Sequence, residues 1–323
     1  MNLQAILTLM ADGEFHSGKV LGELLGVSRT AVWKHLQKLE AYGIPLESVK
    51  GKGYRLPGGI ELLDPERIES GLAGAAKSFL SELDVRQSVD STNVQAMARA
   101  GVGGGHGYVC LAEHQTAGRG RRGRTWVSPF GQSLYCSVVA EFDGGAAALE
   151  GLSLAVGVAL VRALRRLGAE GVGLKWPNDV LWQGRKLAGV LLEMTGDPAG
   201  VCQVVVGLGL NVRMAAQSAE GIDQPWADMS QILPQLSRNE LATAVLDELL
   251  PLLAGYHVAG FTACRDEWEA VHVFAGREVT LMIGNEVVSG VALGVTNSGA
   301  LRLAIGDTVE EFNGGEVSLR AAD

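Results

Sequence analysis

Between Gly118 and Arg124 the chain packs four arginines and three glycines into seven residues, Gly118-Arg119-Gly120-Arg121-Arg122-Gly123-Arg124. No Asp or Glu occurs from His114 to Ala140 to neutralise them, so the stretch is a loop and something anionic belongs beside it. Glycine lets a backbone approach a ligand and take up positive φ, but it fixes nothing by itself. Arginine presents a planar fork of donors that suits phosphate and carboxylate oxygens better than a lysine point charge. The spacing predicts an anion clamp, mobile when empty, that orders around its ligand. Gly118-x-Gly120-x-x-Gly123 also matches a dinucleotide fingerprint, but that motif needs a helix directly after it. Thr125-Trp126-Val127-Ser128-Pro129 cannot start one, and no Lys-Ser/Thr closes the run as a P-loop. On charge pattern alone, a solvated basic loop or a nucleic-acid arm remains the alternative.

A chain of 323 residues is long for one core, so two or three domains are expected. The net charge of −9 argues against wholesale coating of nucleic acid, and any basic function must be local. Residues 28–55 meet that condition. They hold Arg29, Lys34, Lys38, Lys50, Lys52 and Arg55 against Glu40 and Glu47, a local balance of +4. The cysteines at 110, 136, 202 and 264 make no CxxC or zinc spacing, and the six histidines show none either. Met1 to Phe15 is no secretory signal, and the uncharged run Gly151 to Val161 is too short to span a bilayer. The reading is a reduced cytoplasmic protein with no membrane segment and no protein-only metal site.

Residues 1–56 read as three short helices and a hairpin. Ser17 caps the second helix, Gly26 ends it and Ser28 caps the third. On the third, Val32, Leu36 and Leu39 share one face, leaving Arg29, Thr30, Trp33, Lys34 and Lys38 on the other. Leu46 to Val49 and Tyr54 to Leu56 alternate as strands around Lys50-Gly51-Lys52-Gly53. Helix, turn, helix and basic wing together predict a DNA-binding unit, with Ser28, Arg29, Thr30, Trp33, Lys34, Lys38, Lys50 and Lys52 at the duplex.

Pro57-Gly58-Gly59 begins a link. From Asp64 helix and strand alternate: helix over 68–83, strand over 85–89, helix over 91–100, strands over 108–112 and 134–140, and a core helix over 149–167. Strands over 172–176, 187–194 and 202–208 follow, then helices over 239–256 and about 261–271. Beyond Gly276 the helical period stops and five short strands fill under fifty residues, the last two around Asn313-Gly314-Gly315. The prediction is an α+β protein: a winged helix-turn-helix over 1–63 with its linker, a central mixed sheet packed on helices over 64–273, and a small closed β-barrel over 274–323.

Chemistry concentrates at strand ends. Pro177 ends a strand and leaves Asn178 and Asp179 at its rim, and the turn Gln183-Gly184-Arg185 brings Lys186 back beside them. Gly207-Leu208-Gly209-Leu210-Asn211 carries a valine strand into two glycines, a sign of close backbone approach. Asp90-Ser91-Thr92-Asn93 reads either as an N-cap run or as a reader of a polar ligand head. No nucleophile-base pair is visible, so catalysis rests on positioning and electrostatics.

In order along the chain, Asp90-Ser91-Thr92-Asn93, Gly118 to Arg124 with Trp126, Lys175-Trp176-Pro177-Asn178-Asp179, Lys186-Leu187-Ala188-Gly189 and Gly207-x-Gly209-x-Asn211 resemble the biotin-protein ligases. The winged helix narrows the resemblance to the bifunctional bacterial kind that also represses the biotin operon. It extends over essentially the whole chain, to Gly314-Gly315-Glu316-Val317-Ser318-Leu319-Arg320. The resemblance implies a biotin/lipoyl ligase fold akin to the class II synthetases and an SH3-like C-terminal barrel. It implies ATP and biotin as substrates with Mg²⁺, formation of biotinyl-5′-AMP, and transfer to a lysine of the biotin carboxyl carrier protein of acetyl-CoA carboxylase.

By the same resemblance, Lys186, Arg119 and Arg121 would be catalytic. Ser91, Thr92, Asn93, Gln115, Arg119, Gly120, Arg121 and Lys186 would bind biotin. Arg121, Arg124, Trp126, Asn178, Asp179 and Asn211 would bind the nucleotide. The adenylate would promote a homodimer that recognises palindromic operator DNA. One departure is Ser133, where the family often has Asn. A ligase with a vestigial winged helix and a non-catalytic ligand sensor are the alternatives.

Overall fold

The computed structural model describes residues 3–197, 199–284, 286–313 and 317–321. At the front lie α1 (Leu3–Leu9), α2 (Gly18–Leu25), α3 (Arg29–Ala41) and the antiparallel hairpin β1 (Glu47–Val49) with β2 (Gly53–Arg55). Ser17 Oγ accepts from Val20 N at 3.1 Å, Gly26 closes α2 at φ 66°, and Ser28 Oγ accepts from Ala31 N at 3.2 Å. Ile6, Leu7, Met10, Leu21, Val32, Leu36 and Leu39 form the core of this unit. Arg29, Thr30, Trp33, Lys34, Lys38, Lys50 and Lys52 are left exposed.

The expected helix over 68–83 is instead α4 (Pro65–Gly71), α5 (Gly74–Phe79) and the start of β3 (Glu82–Arg86). The break has a tertiary cause: the backbone N–H of Ala73 donates to Asp247 Oδ1 at 2.8 Å instead of continuing α4. Next come α6 (Thr92–Gly101), β4 (Tyr108–Ala112), β5 (Ser133–Phe142), α7 (Leu152–Arg166), β6 (Val172–Lys175), β7 (Asp179–Trp182), β8 (Arg185–Gly196), β9 (Cys202–Asn211), α8 (Arg238–Ala259) and α9 (Arg265–Ala270). The seven strands lie in the order β3-β4-β5-β9-β8-β7-β6, parallel only between β3 and β4. Leu134, Cys136 and Val138 of β5 and Val204, Val206 and Leu208 of β9 turn toward α7 and α8 in the main core. The alternate residues Cys110, Val139 and Val205 meet Ala96 and Ala100 of α6 on the opposite face. The segments Gly145–Arg166 and Arg238–Ala259 have the length and hydropathy of a membrane span, and α7 and α8 within them pack on each other in this core.

The C-terminal strands β10 (Glu278–Ile283), β11 (Glu286–Val295), β12 (Leu301–Ile305), β13 (Thr308–Phe312) and β14 (Val317–Ala321) form an antiparallel sheet in the order β13-β12-β11-β10-β14. The closed barrel expected for residues 274–323 is therefore corrected to an open sheet. Among the described residues β13 pairs only with β12, and β14 only with β10. Two physical reasons account for this. Val279, Leu281, Ala292, Val295, Leu301 and Leu303 are already buried in the same core as α7 and α8, so the apolar face needs no closure. The outer strand β13 carries Glu310 and Glu311, both exposed, and charged residues of this kind protect an open edge. The expected turn at Gly314-Gly315 and the Gly314-Gly315-Glu316 match lie outside the described residues.

Candidate ligand groove and nucleic-acid face

On the α6 side of the sheet three strand positions are glycine: Gly189, its register partner Gly209, and Gly207 opposite Ser137. Their bare backbones form the floor of a groove. A Cβ on Gly207 would collide with Asn93 Oδ1, and one on Gly209 with the Trp126 indole; one on Gly189 would stand 3.2 Å from Trp126 Cζ3 and 3.3 Å from Lys186 Cε. Trp126 therefore lies on the glycine pair, with Lys186 Nζ 5.5 Å from its ring centroid. Its buried Nε1 has no acceptor among the described residues.

Lys186 reaches this face through a β-bulge. Val180 pairs with Ala188 but Leu181 pairs with Lys186, so Leu187 is an extra residue. Leu187 and Ala188 both enter the main core, and Lys186 turns to the groove. There its Nζ stands 2.7 Å from Asp179 Oδ1 as an ion pair, outside hydrogen-bond geometry. Beside it Arg121 Nη1 donates to Asn178 Oδ1 at 3.0 Å, and Asn178 Nδ2 donates to Val190 O at 2.7 Å. Burial pulls the Arg121 guanidinium below its usual pKa, and the Asp179 charge opposes that shift.

At the other end of the groove is a buried polar network. Gln115 Oε1 accepts from Thr92 N at 2.8 Å and from Thr92 Oγ1 at 3.2 Å, while Gln115 Nε2 donates to Ser128 Oγ at 2.9 Å. Ser137 Oγ lies 2.8 Å from Thr92 Oγ1 and 2.6 Å from Asn93 Oδ1. Ser91 precedes α6 at the N-cap position, yet its side chain makes no capping bond. The two readings of this run thus separate: Ser91 has the backbone geometry of a cap, and Thr92 and Asn93 face the groove.

The arginine loop is a tight hairpin. Arg119 pairs with Thr125, Gly120 N donates to Arg124 O at 2.7 Å, and Arg122 takes φ 57°. Arg121 comes to the Lys186 end, but Arg119 does not; its Nη2 donates to Glu193 Oε2 at 3.0 Å. Arg124 is exposed. Asn211 Nδ2 donates to Ala227 O at 3.0 Å, and Lys186 N and O bond to Pro225 O and Ala227 N, each at 2.9 Å. Residues 221–226 thus cover a cavity of about 60 Å³ lined by Trp126, Lys186, Asn211 and Trp226.

Sequence reasoning missed Ser137, Ser128, Glu193 and the covering segment. A polar residue at the centre of the apolar run Leu134 to Ala140 was the available signal for Ser137. Ser133, at the departure from the family pattern, is fully buried with its hydroxyl unpaired among the described residues.

The front unit adjoins the groove. Tyr42 packs edge-on against His114 and Phe130, with ring centroids at 5.2 and 5.7 Å, and Ser88 Oγ bonds His114 Nδ1 at 2.9 Å. Glu113 and Arg238, 6% and 4% exposed, form an ion pair at 2.6 Å. The same pair binds the linker, with Leu63 N donating to Glu113 Oε1 at 2.5 Å and Arg238 Nη1 to Glu61 O at 2.7 Å. On the nucleic-acid face Ser28 is engaged in its cap, and the wing residues Lys52 and Arg55 stand 5.6 and 4.6 Å from the Phe15 ring centroid.

A mixed sheet with a glycine-floored groove, an arginine hairpin over it and a winged helix in front defines a ligase-type protein with a DNA-binding module. Three family profiles match in that order: an HTH domain over residues 2–55, the Biotin/lipoate A/B protein ligase family over 104–211, and the Biotin protein ligase C terminal domain over 274–320. The bifunctional ligase/repressor BirA of Escherichia coli strain K12 is 41% identical over 98% of this chain and 97% of its own, and that of Bacillus subtilis strain 168 is 30% identical over 96% and 95%. The solved biotin protein ligase from Aquifex aeolicus in complex with biotin and ATP superposes with a TM-score of 0.65 at 29% identity, covering 75% of this chain and all of that one. The chain belongs to the family of bifunctional biotin-protein ligase/repressors.

Proposed function

We propose that the chain joins biotin to ATP in this groove, transfers biotin to a lysine of the biotin carboxyl carrier protein, and represses biotin operon transcription in response to the adenylate. The observation that carries the reading is the glycine floor Gly189, Gly209 and Gly207, which sets Lys186 at one end and the Thr92–Gln115–Ser137 network at the other on the same face of the sheet. A urea head at one end and a carboxylate at the other match its donors.

In the first step a biotin carboxylate oxygen bonds to the α-phosphorus of ATP, and the bond to the bridging oxygen breaks to release pyrophosphate. One anion attacks another, so positive charge must be held between them. Lys186 and Arg121 supply it, and Arg119, held by Glu193, contributes by fixing the loop that carries Arg121. Removing one such preorganised donor costs roughly 3 to 4 kcal/mol. In the second step the carrier lysine amine attacks the acyl carbon and AMP leaves. Ser91, Thr92, Asn93, Gln115 and the Gly120 backbone bind the biotin head. Trp126, Arg124, Asn178, Asp179 and Asn211 hold the nucleotide, and the loop excludes water from the mixed anhydride.

Any Mg²⁺ would be carried in by the polyphosphate, with Asp179 as the protein carboxylate nearest Lys186. Among the described residues no three His, Cys, Asp or Glu converge. That donor set fits an ion whose remaining ligands are water and phosphate, and which would neutralise phosphate charge.

On this reading residues 1–63 serve DNA and 64–273 the chemistry, and within 274–323 residues such as Leu281 and Leu301 add to the main core. The pairing of β8 supports a two-fold dimer: among the described residues β8 pairs with β7 only through Arg185–Gly189 but with β9 as far as Gly196. Its Leu191–Gly196 edge can therefore accept the same edge of a second copy.

The test is gel-shift titration of biotin-operon DNA at fixed salt, with and without biotin plus ATP, alongside biotinylation of the carrier. Tighter DNA binding with both substrates supports repression. Carrier labelling without any change in DNA binding reduces the chain to a ligase with a vestigial winged helix.

A further inference from the structure

Glu193 lies on β8, seven residues after Lys186, and because of the bulge at Leu187 both side chains face the groove. A single oxygen of its carboxylate, Oε2, accepts from Asn93 Nδ2 at 2.8 Å and from Arg119 Nη2 at 3.0 Å. We propose that Glu193 is a positioning residue that fixes the hydrogen-bond polarity of the biotin-reading network and ties its floor to the arginine loop. The inference rests on the groove being the biotin site.

The argument is one of donors and acceptors. An ionised carboxylate only accepts, so the Asn93 amide must turn its NH₂ toward Glu193 and its Oδ1 toward Ser137. Gly207 makes room for that orientation, since a Cβ there would collide with Asn93 Oδ1. With Oδ1 only 2.6 Å away, the single Ser137 proton is committed to Asn93. Ser137 then has no proton left for Thr92 Oγ1, 2.8 Å away, so the one Thr92 proton is shared between Ser137 Oγ and Gln115 Oε1, 3.2 Å away, and Thr92 is the donor in both contacts. Gln115 is oriented independently, because Thr92 N can only donate to its Oε1. One charge outside the pocket thus sets which hydroxyls donate and which accept inside it. A urea, which presents both N–H and C=O, is read correctly only if that pattern is single-valued. Arg119 shares the same oxygen, so docking the loop and orienting the floor are one event.

Glu193→Gln removes the constraint, because a side-chain amide at 193 accepts either orientation of Asn93. The expected result in biotin-dependent pyrophosphate release is a biotin KM raised about tenfold, with kcat and the ATP KM within about twofold of wild type; a hydrogen bond to a charged group is worth about that factor. The discriminating variant is the double substitution Asn93→Asp/Glu193→Gln, which moves the carboxylate to position 93 and still obliges Ser137 to donate. It should recover most of the lost biotin affinity, whereas Asn93→Asp alone faces Glu193 with a like charge and should be the weakest of the three. A purely structural role predicts additive losses. A Glu193→Gln biotin KM within twofold of wild type, or a double variant no better than the singles, would overturn the proposal. No biotin-dependent pyrophosphate release by the wild-type chain would instead sink the function on which it rests.

Discussion

The two faces of the seven-stranded sheet are built from alternate residues of the same strands, and they carry opposite chemistry. Toward α7 and α8, Leu134, Val138, Val204, Val206 and Leu208 fill the space completely. Toward the groove, the same strands present Ser137, Gly189, Gly207 and Gly209, and the missing side chains are replaced by Trp126, Asn93 and Lys186 arriving from loops and a bulge. One face is set by packing, the other by what it leaves empty. Changes on the first should therefore alter stability, and changes on the second should alter ligand binding.

The sharpest break of the groove face is Lys186→Ala. Adenylate formation should fall at least a hundredfold, consistent with roughly 3 to 4 kcal/mol for a lost transition-state donor. Circular dichroism should show an unchanged fold; a near-normal single-turnover rate would remove Lys186 from the chemistry. Leu208 and Gly209 then set the two faces side by side. Leu208→Ala should cost about 3 kcal/mol of unfolding free energy with the substrate KM values unchanged. Gly209→Val should raise the ATP KM about tenfold or more, because the new side chain meets the Trp126 indole. If denaturant titration and kinetics gave the same profile for both, the division between faces would be wrong.

A third effect lies off both faces. Burial pushes the His272 imidazole down to about 4, and its ring centroid lies 4.5 Å from that of Trp268 with the planes tilted by 33°. Neither ring nitrogen has a partner among the described residues. The unfolded state takes up this proton first, near the ordinary pH 6.5, so its contribution is full above that pH and is lost as pH falls toward 4. Between pH 7 and pH 5 the loss should be about 2 kcal/mol, and His272→Phe should flatten that slope in urea titrations. The smallest effect is on how long the loop retains the adenylate. Arg121→Gly removes the 3.0 Å bond to Asn178 and should speed adenylate dissociation about tenfold, about 1.4 kcal/mol, measured by rapid mixing.

The winged helix was readable because its signals are local: Ser17, Gly26 and Ser28 act within one turn, and Val32, Leu36 and Leu39 repeat at helical spacing. The groove was readable only as motifs. Nothing in Lys186-Leu187-Ala188-Gly189 announces a bulge, although the bulge is what turns Lys186 away from the core. Glu193 reads in the sequence as an acid on a strand, and its meaning depends on Asn93 a hundred residues earlier. A separation of 125 residues hid the Glu113–Arg238 pair, which ties the linker to the residue that follows β4. Strand count at the C-terminus was correct, but closure depends on which apolar faces other elements cover. There, the central core covers the sheet.

The measurement that tests the central claim most directly is biotin-dependent pyrophosphate release from ATP by the purified full-length chain and by Lys186→Ala. The groove as described predicts release by the first that requires biotin, and release at least a hundredfold slower by the second. Equal rates in the two proteins, or release by the wild type that ignores biotin, would contradict it.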